Sequence, residues 1–201
     1  MRILVTGGTG FLGLHLTRAL LARSADVYVM GRRFSHCQAV LAAGATPVPV
    51  DLRDRQAVFA ACAGMDAVLH VGALSAPWGR RAEFFATNVD GTQHIVTGCQ
   101  RHNVGRLIYV SSPSVAFDGR DQHAATEAAP YPRRFSSVYS LTKKLGEDQV
   151  NRAAACGLAT VVLRPKAIFG PGDTALLPRL VAAARQERLP QIGTGHNLVD
   201  L

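Results

Sequence analysis

The run TGGTGFLG, residues 6–13, constrains this 201-residue chain more than any other feature. It follows a short β-branched run, Ile3 to Thr6, without a break and leads into an amphipathic stretch over residues 12–23. Its glycines, Gly7, Gly10 and Gly13, are spaced Gly-x-x-Gly-x-x-Gly. One glycine permits a tight turn, one lets a pyrophosphate approach the backbone, and one lets helix and strand pack closely. A helix that begins there offers unpaired N–H groups and a partial positive charge to phosphates. Three glycines alone are a weak signal, because such turns are common in α/β proteins. Between the first strand and the first helix they predict a dinucleotide-binding turn.

The rest of the chain repeats that alternation. Strands are expected over 3–6, 27–30, 46–50, 67–71, 107–110 and 160–163, with helices near 12–23, 36–43, 55–61, 82–101 and 139–155. Strands alternating with helices make an α/β fold, a doubly wound parallel sheet covered on both faces. Most of the strands read as almost continuously apolar, which fits burial on both sides. Ligands of such sheets bind beyond the C-terminal strand ends, so the residues just after each strand are the ones to examine. Residues 111–138 form a long irregular connection, and such loops are more often functional than idle.

Composition narrows the class. Hydrophobic residues make up 48% and charged ones 18%, which excludes a disordered chain. No apolar run approaches the roughly 20 residues of a membrane span. The first strand starts at once, leaving no room for a leader, so a cytoplasmic location is expected. The charge of +8 comes from 19 Arg and 3 Lys, scattered rather than gathered into a stripe. No nucleic-acid partner is expected from that pattern. The four cysteines, Cys37, Cys62, Cys99 and Cys156, never fall in Cys-x-x-Cys spacing. They read as reduced, buried thiols, and no metal site is expected.

The residues after strand two choose between nucleotides. An NAD site usually places Asp or Glu there against the ribose 2′-hydroxyl. This chain has Met30-Gly31-Arg32-Arg33, with Gly31 where the carboxylate would sit. Arginine's planar fork suits a 2′-phosphate, so Arg32 and Arg33 favour NADP(H) over NAD(H). After strand three, Asp51-Leu52 could meet the adenine amino group, or Asp51 could equally cap a helix starting near Arg53.

Tyr139 and Lys143 stand four apart in YSLTK, on one face of an expected helix. A tyrosine hydroxyl with a pKa of about 10 shuttles protons poorly at neutral pH. A nearby lysine cation favours the phenolate and makes the tyrosine a usable acid or base. Strand five runs into Ser111-Ser112-Pro113-Ser114, where a hydroxyl could bond a substrate carbonyl, although Ser and Pro also simply make turns.

TGGTGFLG, NVDGT at 88–92, the Ser111-Ser112 turn, YSLTK and LRPKAIFGPGD together resemble an extended short-chain dehydrogenase/reductase with a Rossmann fold. SSPSVAFDG followed by Pro130-Tyr131-Pro132 resembles its 3β-hydroxysteroid dehydrogenase-like branch, most of all the 2-alkyl-3-oxoalkanoate reductases of bacterial olefin synthesis. The resemblance runs from residue 2 to the C-terminus. It implies Ser112, Tyr139 and Lys143 as catalytic residues and Asn88 as structural. It implies cofactor contacts from Gly7, Gly10, Phe11, Leu12 and Gly13, from Asp51 and Leu52, from Val71, Gly72 and Ala73, and from Pro165, Tyr139 and Lys143. Gly72 departs from the family's His-x-Ala-Ala, a mild change. His70 reads as a packed residue rather than a proton donor.

The implied substrate is a hydrophobic ketone or alcohol, a 3-keto acid or sterol-like molecule. Trp78 could cover its apolar chain while Arg80 or Arg81 meets a carboxylate, with Arg133 and Arg134 a second basic pair. A nucleotide-sugar epimerase or dehydratase is the alternative enzyme, and an NADP-binding regulator without catalysis the alternative of another class. Gly31 argues against the first, and the presence of Tyr139 and Lys143 against the second. The expected organisation is a cofactor domain over 1–173 and the start of a truncated substrate domain over 174–201, leaving apolar surface exposed. The helices around 82–101 and 139–155 could pair two subunits as a homodimer.

Overall fold

A computed structural model describes residues 1–76, 78–122 and 124–190. The chain falls into two units, Met1–Arg164 and Pro165–Leu201. In the first, β1 (Arg2–Thr6) pairs in parallel with β2 (Asp26–Gly31) and with β4 (Ala67–His70). Strand β3 (Thr46–Pro49) lies outside β2, and β5 (Arg106–Val110) and β6 (Thr160–Leu163) follow β4, all parallel. The order is β3-β2-β1-β4-β5-β6. The chain therefore reverses direction across the sheet between β1 and β4, which opens a crevice at their C-terminal ends.

Side chains alternate across a strand, and the sheet uses that to feed two cores. Ile3 and Val5 of β1 join Val27, Val29, Cys37 and Val40 on one face. Leu4 points the other way, with Met30, Val68, Leu107 and Tyr109. The first face is covered by α1 (Phe11–Leu21) and α2 (Gln38–Ala42). On the second, α3 (Arg55–Cys62), α5 (Gly91–Arg101) and α6 (Val138–Ala155) supply Val58, Ile95 and Val150. Each fully buried aliphatic side chain contributes roughly 1.5–3 kcal/mol, so these two layers drive the fold.

The outer strands depart from the expected two-sided burial. Thr46, Pro47 and Pro49 of β3 are exposed, as are Val161 and Leu163 of β6. An end strand has a neighbour on one side only, so its backbone hydrogen bonds form without complete side-chain cover. Cys156 is also exposed, unlike the other three cysteines, because it sits just past the C-terminus of α6.

The helix expected over 82–101 is one rod with a defect. It runs as α4 (Arg81–Phe84), a π-helical turn at Phe85–Asp90, and α5. Such turns are uncommon and frequent at functional sites. Among the described residues no helix is long and apolar enough to cross a membrane. In the second unit Asp173 accepts from the backbone N–H groups of Ala175 at 2.7 Å and Leu177 at 2.8 Å, setting the start of α7 (Leu177–Arg185). The IGTGHNLVDL tail, 192–201, lies outside the described residues.

Candidate active site

The glycine turn between β1 and α1 is built so tightly that side chains are excluded. Gly7 has φ +62°, and a β-carbon on it would fall 2.6 Å from the Gly72 Cα. A β-carbon on Gly13 would collide with the Gly7 carbonyl. The Gly8 N–H donates to the Met30 carbonyl at 3.1 Å, which stitches the turn onto the end of β2. The first turn of α1 carries no acidic residue and its cap, Gly10, makes no side-chain hydrogen bond. That turn therefore offers bare backbone N–H groups at a positive helix end, the environment a pyrophosphate requires.

Around this turn the sheet gathers most of the anticipated cofactor positions. Phe11 and Leu12 open α1, and Val71, Gly72 and Ala73 follow β4 against Gly7. Leu52 packs toward Gly72 and Gly91 from the β3 side. Arg32 and Arg33 are exposed just past β2. Pro165 opens the second unit.

Asp51 does not cap a helix. Asp54 does, accepting from the Ala57 N–H at 3.1 Å. Asp51 instead takes both Nε and Nη2 of Arg53 at 3.0 and 2.7 Å and the Arg53 backbone N–H at 2.9 Å. Those Arg53 bonds hold its carboxyl below the usual range, and Arg32 at 3.8 Å adds to the effect.

Helix α6 starts on a reciprocal cap. The Ser137 hydroxyl accepts from the Ser140 N–H and the Ser140 hydroxyl from the Ser137 N–H, each at 3.1 Å. Caps of this kind are worth about 1 kcal/mol and fix where a helix begins. Tyr139 follows two residues later, and its phenol engages the Ser112 hydroxyl. Ser112 in turn caps the short 3-10 turn Pro113–Val115, with Ser114 Oγ at 2.9 Å. One turn on, Lys143 is 2% exposed and its Nζ donates to the Val110 carbonyl at the end of β5 at 2.7 Å. Ser112, Tyr139 and Lys143 thus meet at one strand end.

The electrostatics differ from the expectation that Lys143 lowers the Tyr139 pKa. Burial raises the phenol, and the Ser112 hydrogen bond offsets that only in part. Burial also pushes Lys143 down to about 7, with Glu147 pulling it back up.

Asn88 owes its place to the π turn. Its Oδ1 accepts from the Leu74 N–H at 2.7 Å, and its Nδ2 donates to the Leu74 carbonyl at 3.0 Å and to Thr142 Oγ1 at 3.1 Å. One side chain therefore ties the loop after β4 to the helix that carries Tyr139 and Lys143. His70 is fully buried between Thr6 Oγ1 at 2.7 Å and Thr92 Oγ1 at 3.0 Å. Thr92 gives its proton to the Asn88 carbonyl, and Thr6 accepts from the Gly72 N–H. Those bonds suit a neutral imidazole protonated on Nε2, with Nδ1 accepting from the Thr6 hydroxyl. Burial, and then the Lys143 charge, push its pKa down to about 3.

This has a measurable consequence. The unfolded chain takes up the His70 proton near pH 6.5 and the folded one only near 3, so stability falls with acidity across that window. From pH 7 to 5 wild type is expected to lose about 2 kcal/mol more than His70→Gln in urea titrations. Equal losses would mean that His70 is charged in the fold.

A second cluster lies beside the first, outside the expected site residues. Glu147, 1% exposed, takes Arg164 Nε at 2.8 Å and Nη2 at 2.7 Å, and its Oε2 accepts from the Tyr131 hydroxyl at 2.6 Å. The buried Ser111 hydroxyl faces the same carboxylate without full hydrogen-bond geometry. The signal available was spacing, since Tyr139, Lys143 and Glu147 repeat every four residues along one helix face. The loop arginines are on the surface. Arg80 pairs with Glu83 at 3.9 Å, Arg81 stacks 4.8 Å from the Phe85 ring, Trp78 is 87% exposed, and Arg133 and Arg134 are exposed. Among the described residues no group of three or more His, Cys, Asp or Glu side chains gathers as a metal site.

Comparison with known proteins agrees with this architecture. The chain is 43% identical over 202 residues to a 2-alkyl-3-oxoalkanoate reductase of Stenotrophomonas maltophilia, covering 100% of this chain and 61% of the relative. It is 35% identical to the human sterol-4-alpha-carboxylate 3-dehydrogenase, decarboxylating, covering 99% of this chain and 53% of that one. A crystal structure of a short-chain dehydrogenase/reductase superfamily protein from Agrobacterium tumefaciens with bound NAD superposes with a TM-score of 0.72 at 34% identity, over 82% of this chain and 48% of that one. The chain thus spans between about half and three-fifths of the length of these relatives. A sequence model of one family matches residues 4–201, nearly the whole chain. The protein belongs to the 3-beta hydroxysteroid dehydrogenase/isomerase family.

Proposed function

We propose that this chain is the cofactor-binding portion of an NADPH-dependent reductase that converts the ketone of a hydrophobic 3-keto acid or sterol-like substrate to the alcohol, reversibly. The observation that carries the reading is the meeting of Ser112, Tyr139 and Lys143 at the end of β5, on the crevice side of the sheet that also holds the bare glycine turn. The glycine turn and the N-terminus of α1 fit a pyrophosphate, Asp51 and Leu52 the adenine side, and Val71–Ala73 the sugar–nicotinamide side. A bound nicotinamide supplies the hydride. Ser112 holds the substrate oxygen and Tyr139 delivers the proton to it. Lys143 orients ribose hydroxyls.

The relatives named as a 3-oxoalkanoate reductase and a sterol dehydrogenase support a 3-keto or 3-hydroxy substrate class. Cofactor-oxidation assays with NADPH and NADH against 2-alkyl-3-keto acids, sterols and UDP-sugars test the reading. NADPH-dependent turnover of a keto acid or sterol is expected, faster in a chain extended to the relatives' length than in the 201-residue chain. Turnover of a UDP-sugar with retained NAD would overturn it.

The basic loop adds a narrower expectation. Replacing Arg80 and Arg81 together by Ala should raise the KM for a keto acid several-fold, roughly the worth of one charge-assisted bond, and leave that of its ester unchanged. Equal effects on acid and ester would remove these arginines from substrate recognition.

A further inference from the structure

Lys143 is sealed against the end of β5, and the structure shows what stands in for solvent around its amine. Its Nζ lies 4.1 Å from the centroid of the Tyr109 ring while donating to the Val110 carbonyl at 2.7 Å. Both side chains are buried, Tyr109 at 0% and Lys143 at 2% exposure. Helix α6 is shaped for this contact. A β-carbon on Gly146 would collide with the Tyr109 hydroxyl, so the glycine admits the phenol, which donates to the Lys143 carbonyl at 3.3 Å. Burial raises the Tyr109 pKa, so the ring meets the amine as a neutral phenol and not as a phenolate.

We infer that Tyr109 is a positioning residue for Lys143, its ring face holding that side chain as an ammonium at the end of β5. The inference rests on the reductase reading above and deepens it, since Tyr109 acts on the reacting groups only through Lys143. An aromatic face attracts a cation within about 6 Å of its centroid, most strongly where solvent is excluded. An ammonium has three N–H donors. The Val110 carbonyl takes one and the ring faces another, which leaves a third for a hydroxyl in the crevice. A neutral amine has one donor fewer and no charge for the ring to hold. The titrating groups around Lys143 pull in different directions. Glu147, next along its own helix face, favours the cation, although Arg164 and Tyr131 already bond that carboxylate. His70 on β4, its ring centroid 5.5 Å from that of Tyr109, stays neutral and adds no competing charge. Tyr139, one turn back, is raised by burial and keeps its proton at neutral pH. Burial presses Lys143 itself down to about 7, so a further drop on losing the ring would leave mostly neutral amine at neutral pH.

The contact can be read directly in the free chain. Its only lysines are Lys143, Lys144 and Lys166, so NMR of carbon-labelled lysine follows each through a pH titration, and Lys143→Arg assigns the buried one. Tyr109→Phe keeps the ring and should leave the Lys143 pKa nearly unchanged. Tyr109→Leu keeps apolar bulk but loses the π face, and should lower that pKa by about 1, the roughly tenfold worth of a desolvated cation–π contact. Site-specific incorporation of mono-, di- and trifluorinated phenylalanine at position 109 drains the ring face in steps with little change of shape. The Lys143 pKa should fall with each fluorine. In every variant that turns over, the falling limb of kcat/KM above neutral pH should move down with it.

A flat fluorine series would overturn the ring's role even where Tyr109→Leu lowers the pKa, because that drop would then come from repacking. A pKa that follows the fluorines while the limb stays in place would overturn Tyr109 as a positioning residue. If Tyr109→Leu does not fold, the fluorine series alone decides. The titrations need neither cofactor nor substrate. Absence of NADPH turnover beside an intact fluorine response would therefore overturn the reductase reading and leave the hold of Tyr109 on Lys143 standing.

Discussion

Tyr139→Phe is expected to lower kcat for ketone reduction by roughly 10³-fold, within the range for loss of one positioned general acid. The substitution removes one oxygen and keeps the ring, so packing at the start of α6 and NADPH affinity should change little. The size of the effect follows from how the phenol is held. Burial raises its pKa and the Ser112 hydroxyl offsets that in part, so at neutral pH it is a protonated donor aimed at the strand end. His70 is no substitute donor, because it is sealed between two threonines and stays neutral. Lys143 sets the pH range. Its native pKa of about 7 lies below the ordinary lysine value, so the free protein loses that cation as pH rises through 7. The kcat/KM for the free enzyme should therefore decline above about pH 7. A Tyr139→Phe variant within tenfold of wild type would remove Tyr139 as the proton donor.

The elements that carry this chemistry were legible because their causes are local. The glycine spacing, the short apolar runs of the strands and the four-residue spacing of Tyr139 and Lys143 each act within a few residues, and the strands and helices fall within a few residues of their expected bounds. Features that depend on distant partners were not legible. The π turn could not be read from FATNVD, since what it provides is a set of bonds from Asn88 to Leu74 and to Thr142, 54 residues away. Spacing put Tyr139 and Lys143 on one face but says nothing of burial, and burial reverses the expected shift of the tyrosine. Asp51 stands after β3 as expected, yet what occupies it is Arg53, and the cap falls to Asp54.

The buried Glu147–Arg164 pair should dominate stability among single side chains near the site. Glu147→Gln is expected to cost about 3 kcal/mol in denaturant unfolding, typical of breaking a buried pair and leaving one charge uncompensated. Burial alone would raise the Glu147 pKa, but hydrogen bonds from Arg164 and Tyr131, with the Ser111 hydroxyl close by, outweigh it and hold the carboxyl below its ordinary value. The carboxylate's contribution is therefore full above the ordinary glutamate pKa and lost as pH falls through its native one. Glutamine removes that pH dependence along with the pair. Replacing both partners, Glu147→Met with Arg164→Met, should recover most of the loss, since an apolar pair of similar volume needs no desolvation. Simple additivity of the two single losses would show that the charges do not act as a pair. Tyr131→Phe should cost only about 1 kcal/mol, one neutral donor to a charged acceptor partly replaced by water. Yet Tyr131 is the described contact that pins the 111–138 connection to α6 at this carboxylate, and that connection leads directly into Tyr139. Both Tyr131→Phe and Glu147→Gln should therefore speed proteolysis within 117–135 more than their global stabilities imply, and a cleavage rate that merely tracks unfolding would separate the pair from the loop.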